Sequence, residues 1–134
     1  MNEIALVKWA GEMVGKPFIW GETDCAMLAL RSLNTSLGID VSGAFAGVWR
    51  DEASALAHFQ IELPSQVLSM LGLSQMDQVY FATGDIILAP KEPFPETAHI
   101  CLGMRSLSAD PEHGVVYVRT LDLLKHAVSL WRVP

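Results

Sequence analysis

The spacing of apolar residues changes once along the chain, and this change most restricts the fold. Up to about residue 71, apolar residues recur at the three- and four-residue spacing of helices, at 4–13, 25–33, 51–59 and 65–71. After Gly84-Asp85, short β-rich runs replace them, at 86–89, 98–104, 114–118 and 126–133. Helices followed by strands predict an α+β fold, with N-terminal helices packed on a C-terminal, mostly antiparallel sheet.

Size and charge restrict the function classes. The chain has 134 residues, 51% of them hydrophobic, which predicts one domain over 1–134 with its own core. A net charge of −6 argues against binding to nucleic acid or to anionic lipid. No stretch approaches the ~20 apolar residues of a membrane span, so we expect no membrane insertion. Glu3 and Lys8 do not fit a signal peptide, so we expect synthesis in the cytoplasm.

The metal-binding and phosphate-binding motifs of known sites are missing. Cys25 and Cys101 are the two cysteines, and neither a C-x-x-C nor an H-x-x-x-H spacing occurs. Phosphate loops and dinucleotide fingerprints are also missing. The sequence therefore predicts neither a metal nor a cofactor.

Cys25 is the first candidate for chemistry. It lies in the predicted first turn of the second helix, with Thr23 or Asp24 as the N-cap. The helix dipole and the free N–H groups there favour a thiolate and could stabilise an oxyanion. Gly21 permits a tight turn just upstream, and Trp20 lies close enough in sequence to line a cleft. The alternative is that Cys25 is a small buried hydrophobe.

A nucleophilic thiol needs a base, and His99 is the best candidate for it. His99 follows a proline-rich loop and begins a predicted strand, in which alternation puts it on the same face as Cys101. The alternative is a structural histidine at a strand end. His113, at a turn, could orient the base as a third group, whereas His58 and His126 are expected to be structural or exposed.

Three segments carry a resemblance to a known family. The segment 15–26, Gly-Lys-Pro-Phe-Ile-Trp-Gly-Glu-Thr-Asp-Cys-Ala, resembles the nucleophile motif of NlpC-type papain-like cysteine peptidases, in which G-x-P-[YF]-x-W-G leads into Asp-Cys. The segment 84–88 is similar to that family's Gly-Asp-hydrophobic strand, and 98–103 resembles its His-hydrophobic-Gly strand. Phe18 stands where many members have Tyr, and Ala26 where Ser is common.

The resemblance implies a papain-like α+β fold and thiol acyl transfer on peptide bonds of bacterial cell-wall (peptidoglycan) peptides. Cys25 would attack the carbonyl, and His99 would take and then return the proton. A third polar residue would orient the imidazole; His113 is favoured, and Tyr117 and Thr120 remain open. The implied substrate cleft contains Trp20, Gly21 and Asp24.

The short chain with its bare catalytic core looks closest to phage and prophage tail-assembly members. This implies phage tail proteins as partners and a location in the virion. The leading hypothesis is a cysteine hydrolase of peptidoglycan peptides. Its rival is a tail-assembly or structural module with the same fold and little or no activity, and a third hypothesis is a ligand- or partner-binding domain in which Cys25 is simply buried.

Overall fold

The computed structural model describes residues 1–134, which form five α-helices and six β-strands. The helices are α1 (Glu3–Met13), α2 (Cys25–Leu37), α3 (Glu52–Ile61), α4 (Pro64–Met70) and α5 (Thr120–Leu124). The strands are β1 (Ser74–Met76), β2 (Ile86–Lys91), β3 (Phe94–Cys101), β4 (Arg105–Asp110), β5 (Gly114–Arg119) and β6 (Ser129–Arg132). Two short 3-10 turns lie at Ser42–Phe45 and Gln78–Tyr80.

The six strands form one sheet in the order β1-β6-β2-β3-β4-β5, and every neighbouring pair is antiparallel. The predicted α+β class and the antiparallel sheet are therefore confirmed. The last strand, β6, lies between β1 and β2, where its Arg132 donates two hydrogen bonds of 2.9 Å to the buried Asp85 carboxylate. Asp85 thus joins β2 to β6 and has a structural role.

The two faces of the sheet carry different clusters. On one face, Leu88 and Ile100 pack with α2 residues such as Leu28 in the main core. On the opposite face, Ile87 and Cys101 form a smaller cluster with Leu130, Leu123 and Leu124, among others. Alternation along a strand explains this separation, because successive side chains point to opposite faces. The position of a residue in β3 therefore decides whether it faces helix α2.

Several predicted boundaries differ from the structure. β3 begins at Phe94 and ends at Cys101, whereas the predicted strand covered 98–104. β4 and α5 had not been predicted, and the predicted strand at 126–133 is reduced to Ser129–Arg132. No helix combines the length and apolar character that crossing a bilayer requires.

Candidate active site around Cys25

The segment 17–24 is held in a tight turn before α2. The Thr23 hydroxyl accepts the Ile19 N–H at 2.8 Å and donates to the Pro17 carbonyl at 2.7 Å. Gly21 has a φ of +83°, and a Cβ there would lie 2.6 Å from the Trp49 carbonyl oxygen. Glycine is therefore required at this turn for both its conformation and its close approach to Trp49.

Asp24 is the N-cap of helix α2 and is buried. Its carboxylate accepts hydrogen bonds from the Met27 N–H at 2.9 Å, the Gly21 N–H at 2.6 Å and the Trp49 indole N–H at 2.8 Å. Of the two residues predicted as the N-cap, Thr23 and Asp24, the structure has Asp24 in this position. These three bonds fix the Asp24 carboxylate at the start of α2 and thereby position Cys25 as the first residue of the helix.

Cys25 is partly exposed and lines a cleft of about 110 Å³. The cleft lies between the turn before α2, the β2–β3 hairpin and the end of β4; its lining includes Phe18, Trp20, Asp24, Cys25, Ala26, Glu52, Phe59, Lys91, Glu92, Pro93, Phe94, Glu96, Thr97, Ala109 and Pro111. Burial, and then the Asp24 charge, raise the pKa of the Cys25 thiol to about 11. Hydrogen bonds from the backbone of Ala98 and Ala26 lower this pKa, but they do not outweigh the burial.

The imidazole of His99 is buried and both of its nitrogens are occupied. Nε2 lies 2.9 Å from the Thr97 hydroxyl, and Nδ1 lies 2.8 Å from the Ser108 hydroxyl. The Thr97 hydroxyl donates its own proton to the Ala89 carbonyl, so it accepts the N–H of Nε2. Nδ1 of the neutral ring then accepts from Ser108. Burial, and then the Lys91 charge, lower the pKa of His99 to about 4, which keeps the ring neutral at neutral pH.

The imidazole of His99 does not line the cleft that contains Cys25, although Thr97, its hydrogen-bond partner, does. Ala98 and Ile100 face the core beneath α2, and His99 alternates with them and pairs with Ile87 of the opposite face. The cleft that contains Cys25 is lined by Thr97 and not by His99. No hydrogen bond joins the thiol to the imidazole, since the ring nitrogens bond to Thr97 and Ser108.

The structure does not place His113 against His99. His113 is exposed and its Nδ1 bonds to the Asp110 carboxylate at 3.1 Å. Of the two alternatives, Tyr117 packs under the Arg105 guanidinium, 4.0 Å from the ring centroid, and Thr120 donates to the Gly103 carbonyl. The polar groups that hold the imidazole are instead Thr97 of β3 and Ser108 of β4. The alternating serines at 106 and 108 are a sequence signal for Ser108, but no strand that corresponds to β4 is predicted from the sequence.

The residues expected in the cleft divide between two surfaces. Trp20 and Asp24 line the Cys25 cleft, and Trp20 contacts Phe18 with a ring-centroid distance of 4.8 Å. Gly21 lies instead in a neighbouring groove with Lys16 and Arg31, among others. No group of three or more His, Cys, Asp or Glu residues is arranged to hold a metal ion.

One family model matches the chain. Residues 2–133 match the family model described as "Domain of unknown function (DUF6950)". A search of curated proteins finds no match.

Proposed function

The chain belongs to the DUF6950 family, and we propose that it is a papain-like (NlpC-type) module of phage tail assembly with weak or absent hydrolytic activity. The sequence resemblance supports the fold type and the tail assignment. The observation that carries the low activity is the position of His99, which lies outside the cleft with both ring nitrogens occupied. A cysteine hydrolase needs a base within hydrogen-bond reach of its nucleophile.

The hydrogen bonds of His99 argue against a role as the base. Nε2 carries a proton that it donates to Thr97, and Nδ1 accepts the Ser108 proton, so neither nitrogen has a lone pair free for Cys25. The pKa of about 4 also makes the imidazole a poor proton acceptor at neutral pH. Catalysis with this pair would require the ring to leave Thr97 and Ser108.

The thiol itself is not activated in this arrangement. A pKa of about 11 leaves about one thiol in ten thousand as thiolate at pH 7. Activated cysteines in enzymes have pKa values below the ~8.5 of a free thiol. This difference supports slow or absent acyl transfer.

A cysteine hydrolase of peptidoglycan peptides remains the second candidate, and one observation favours it. Cys25 is the first residue of α2 and lines an open cleft, where the backbone of Ala26 and of Ala98 favours its thiolate. Backbone N–H groups of this kind are the usual donors to an acyl-transfer oxyanion.

Hydrolysis assays separate the two candidates. Cell-wall tetrapeptides and intact peptidoglycan are incubated with the wild type, Cys25→Ala and Cys25→Ser, after the variants are shown to unfold like the wild type. We expect no cleavage by the wild type above the level of the variants. Cleavage by the wild type that both substitutions abolish would establish the hydrolase instead.

A further inference from the structure

A small apolar pocket adjoins the Cys25 cleft, with walls from helices α2 and α4 and from strand β3. Its volume is about 30 Å³. Packed protein interiors leave few voids larger than a water molecule, for which about 10–15 Å³ suffices. The pocket is therefore roomier than an ordinary packing defect.

Small side chains of α2 and β3 leave this space. Ala26 and Ala29 lie three residues apart in α2 and therefore share a face of the helix. Ala98 of β3 also lines the pocket, and α4 closes it with Val67 and Leu68. Because the three alanine side chains end at Cβ, helix and strand pack together without filling the gap between them.

The lining side chains offer no free hydrogen-bonding group. The one polar atom among them is the indole nitrogen of Trp49, whose N–H is donated to the Asp24 carboxylate. A buried water typically makes about three hydrogen bonds to polar groups. The pocket therefore suits an aliphatic group better than a water molecule.

The pocket and the Cys25 cleft meet at the start of α2. Ala26 and Phe59 line both of them, and Ala26 directly follows Cys25 in the helix. Ala26 and Phe45 are the half-buried residues of the pocket lining, whereas the others are buried. A group bound in the cleft can thus reach the pocket beside the thiol.

The two volumes divide a ligand into a larger and a smaller part. The cleft has about 110 Å³ and carries the aromatic rings of Trp20 and Phe94, whose centroids lie 5.9 Å apart. The pocket has about 30 Å³, whereas a cavity that holds benzene has about 150 Å³. The pocket therefore admits a short chain and excludes an aromatic ring.

We propose that this pocket binds a short aliphatic group, of about two to four carbon atoms, belonging to a ligand whose larger part occupies the Cys25 cleft. In a peptide, this selects side chains of the size of valine or leucine over aromatic and charged ones. The proposal rests on the proposed function in that it assigns a ligand class to the same cleft. It requires no hydrolysis.

Disulfide exchange at Cys25 delivers aliphatic groups to the mouth of the pocket. Cys25 is converted to its mixed disulfide with 2-mercaptoethanol, and an alkanethiol RSH then displaces the 2-mercaptoethanol. One S–S bond forms, one breaks, and the departing thiol takes the proton. The R groups are ethyl, propyl, butyl, hexyl and benzyl. Peptide mass spectrometry gives the equilibrium constant at Cys25, separately from the buried Cys101, and division by the constant for N-acetylcysteine amide removes the intrinsic preferences of the thiols.

We expect the normalised constant to rise about fourfold from ethyl to propyl, because each buried methylene strengthens binding by about this factor. The benzyl group should bind more weakly than the propyl group, since its ring exceeds the pocket. A constant that does not depend on R would overturn the proposal. A steady rise through hexyl and benzyl would also overturn it, because it would place these groups in the open cleft against Trp20 and Phe94.

A pair of valine variants supplies the matched control. Val67→Ala widens the pocket, whereas Val41→Ala removes the same atoms from a buried valine that lines neither the pocket nor the cleft. After urea unfolding shows that both variants fold, we expect the ratio of the benzyl to the propyl constant to rise about fourfold or more in V67A alone. Equal ratios in the two variants would contradict the assignment of the pocket.

A substitution at the half-buried mouth gives a second test. Ala26→Val narrows the junction of pocket and cleft, and it should abolish the rise from ethyl to propyl. A rise that persists in A26V would show that the alkyl groups bind elsewhere. Since the exchange reports occupancy of the pocket and the hydrolysis assay reports cleavage, failure of this proposal leaves the activity result unchanged, and the reverse also holds.

Discussion

At the residue scale, the imidazole of His99 acts as a bridge within the sheet. Its ring joins Thr97 of its own strand to Ser108 of β4, at the point where β3 and β4 begin to separate. Strand alternation had predicted that His99 and Cys101 share a face, and the structure confirms it. The face that α2 covers could not be predicted, because a periodicity of two defines two faces without saying which one is packed against a helix.

The bridge predicts a dependence of stability on pH. The pKa of His99 falls from 6.5 to about 4 on folding, so the unfolded state binds more protons below pH 6.5 and stability decreases as the pH falls. From pH 7 to pH 4.5 this group alone should remove about 2–3 kcal/mol from the free energy of unfolding. His99→Gln should remove that part of the pH dependence. Urea unfolding of both proteins at the two pH values measures it, and identical pH slopes would contradict the assignment.

Asp24 should contribute more to stability than an ordinary N-cap. Asp24→Ala leaves the Gly21 and Trp49 donors unpaired as well as the Met27 N–H, so we expect a loss of about 3 kcal/mol. The control is Asp51→Ala, which removes the exposed N-cap of α3 and should cost about 1 kcal/mol. Equal losses in urea unfolding would show that the buried bonds of Asp24 add nothing.

At the element scale, the turn before α2 and strand β4 show what a sequence can and cannot indicate. Gly21 and Asp24 are residue types with narrow backbone roles, so the turn and the start of α2 were predicted closely. β4 was missed because its sequence, Arg-Ser-Leu-Ser-Ala-Asp, lacks β-branched and aromatic residues. Its strand form depends on pairing with β5, a long-range contact that local propensity does not contain. Missing β4 also meant missing Ser108.

The turn itself is testable with two glycines. Gly21 and Gly47 both have positive φ, at +83° and +77°, but only at Gly21 would a Cβ meet the Trp49 carbonyl. Gly47→Ala should cost about 1–2 kcal/mol from backbone strain alone. Gly21→Ala should cost about 1–2 kcal/mol more, because Trp49 must also move. Thermal or urea unfolding compares the two variants, and a smaller loss for G21A would be inconsistent with the close approach.

At the scale of the whole molecule, the helical half supplies Cys25 and the sheet half supplies His99. The fold brings both segments to strand β3, yet the thiol lies in a cleft that the imidazole does not line, and the imidazole is bonded to Thr97 and Ser108. The order of the Cys25 and His99 motifs along the sequence therefore predicted that their two elements meet, and α2 does pack directly on β3. It could not predict whether the two side chains meet, because that depends on the orientation of the imidazole, which the hydroxyls of Thr97 in β3 and Ser108 in β4 fix.

The pH dependence of Cys25 alkylation tests this arrangement most directly. Labelling rates with iodoacetamide, assigned to Cys25 by mass spectrometry, are measured over a pH series for the wild type and for His99→Gln. We expect an apparent pKa of about 11 for the Cys25 thiol, unchanged by the substitution. An apparent pKa well below the ~8.5 of a free thiol, rising when His99 is replaced, would contradict the account.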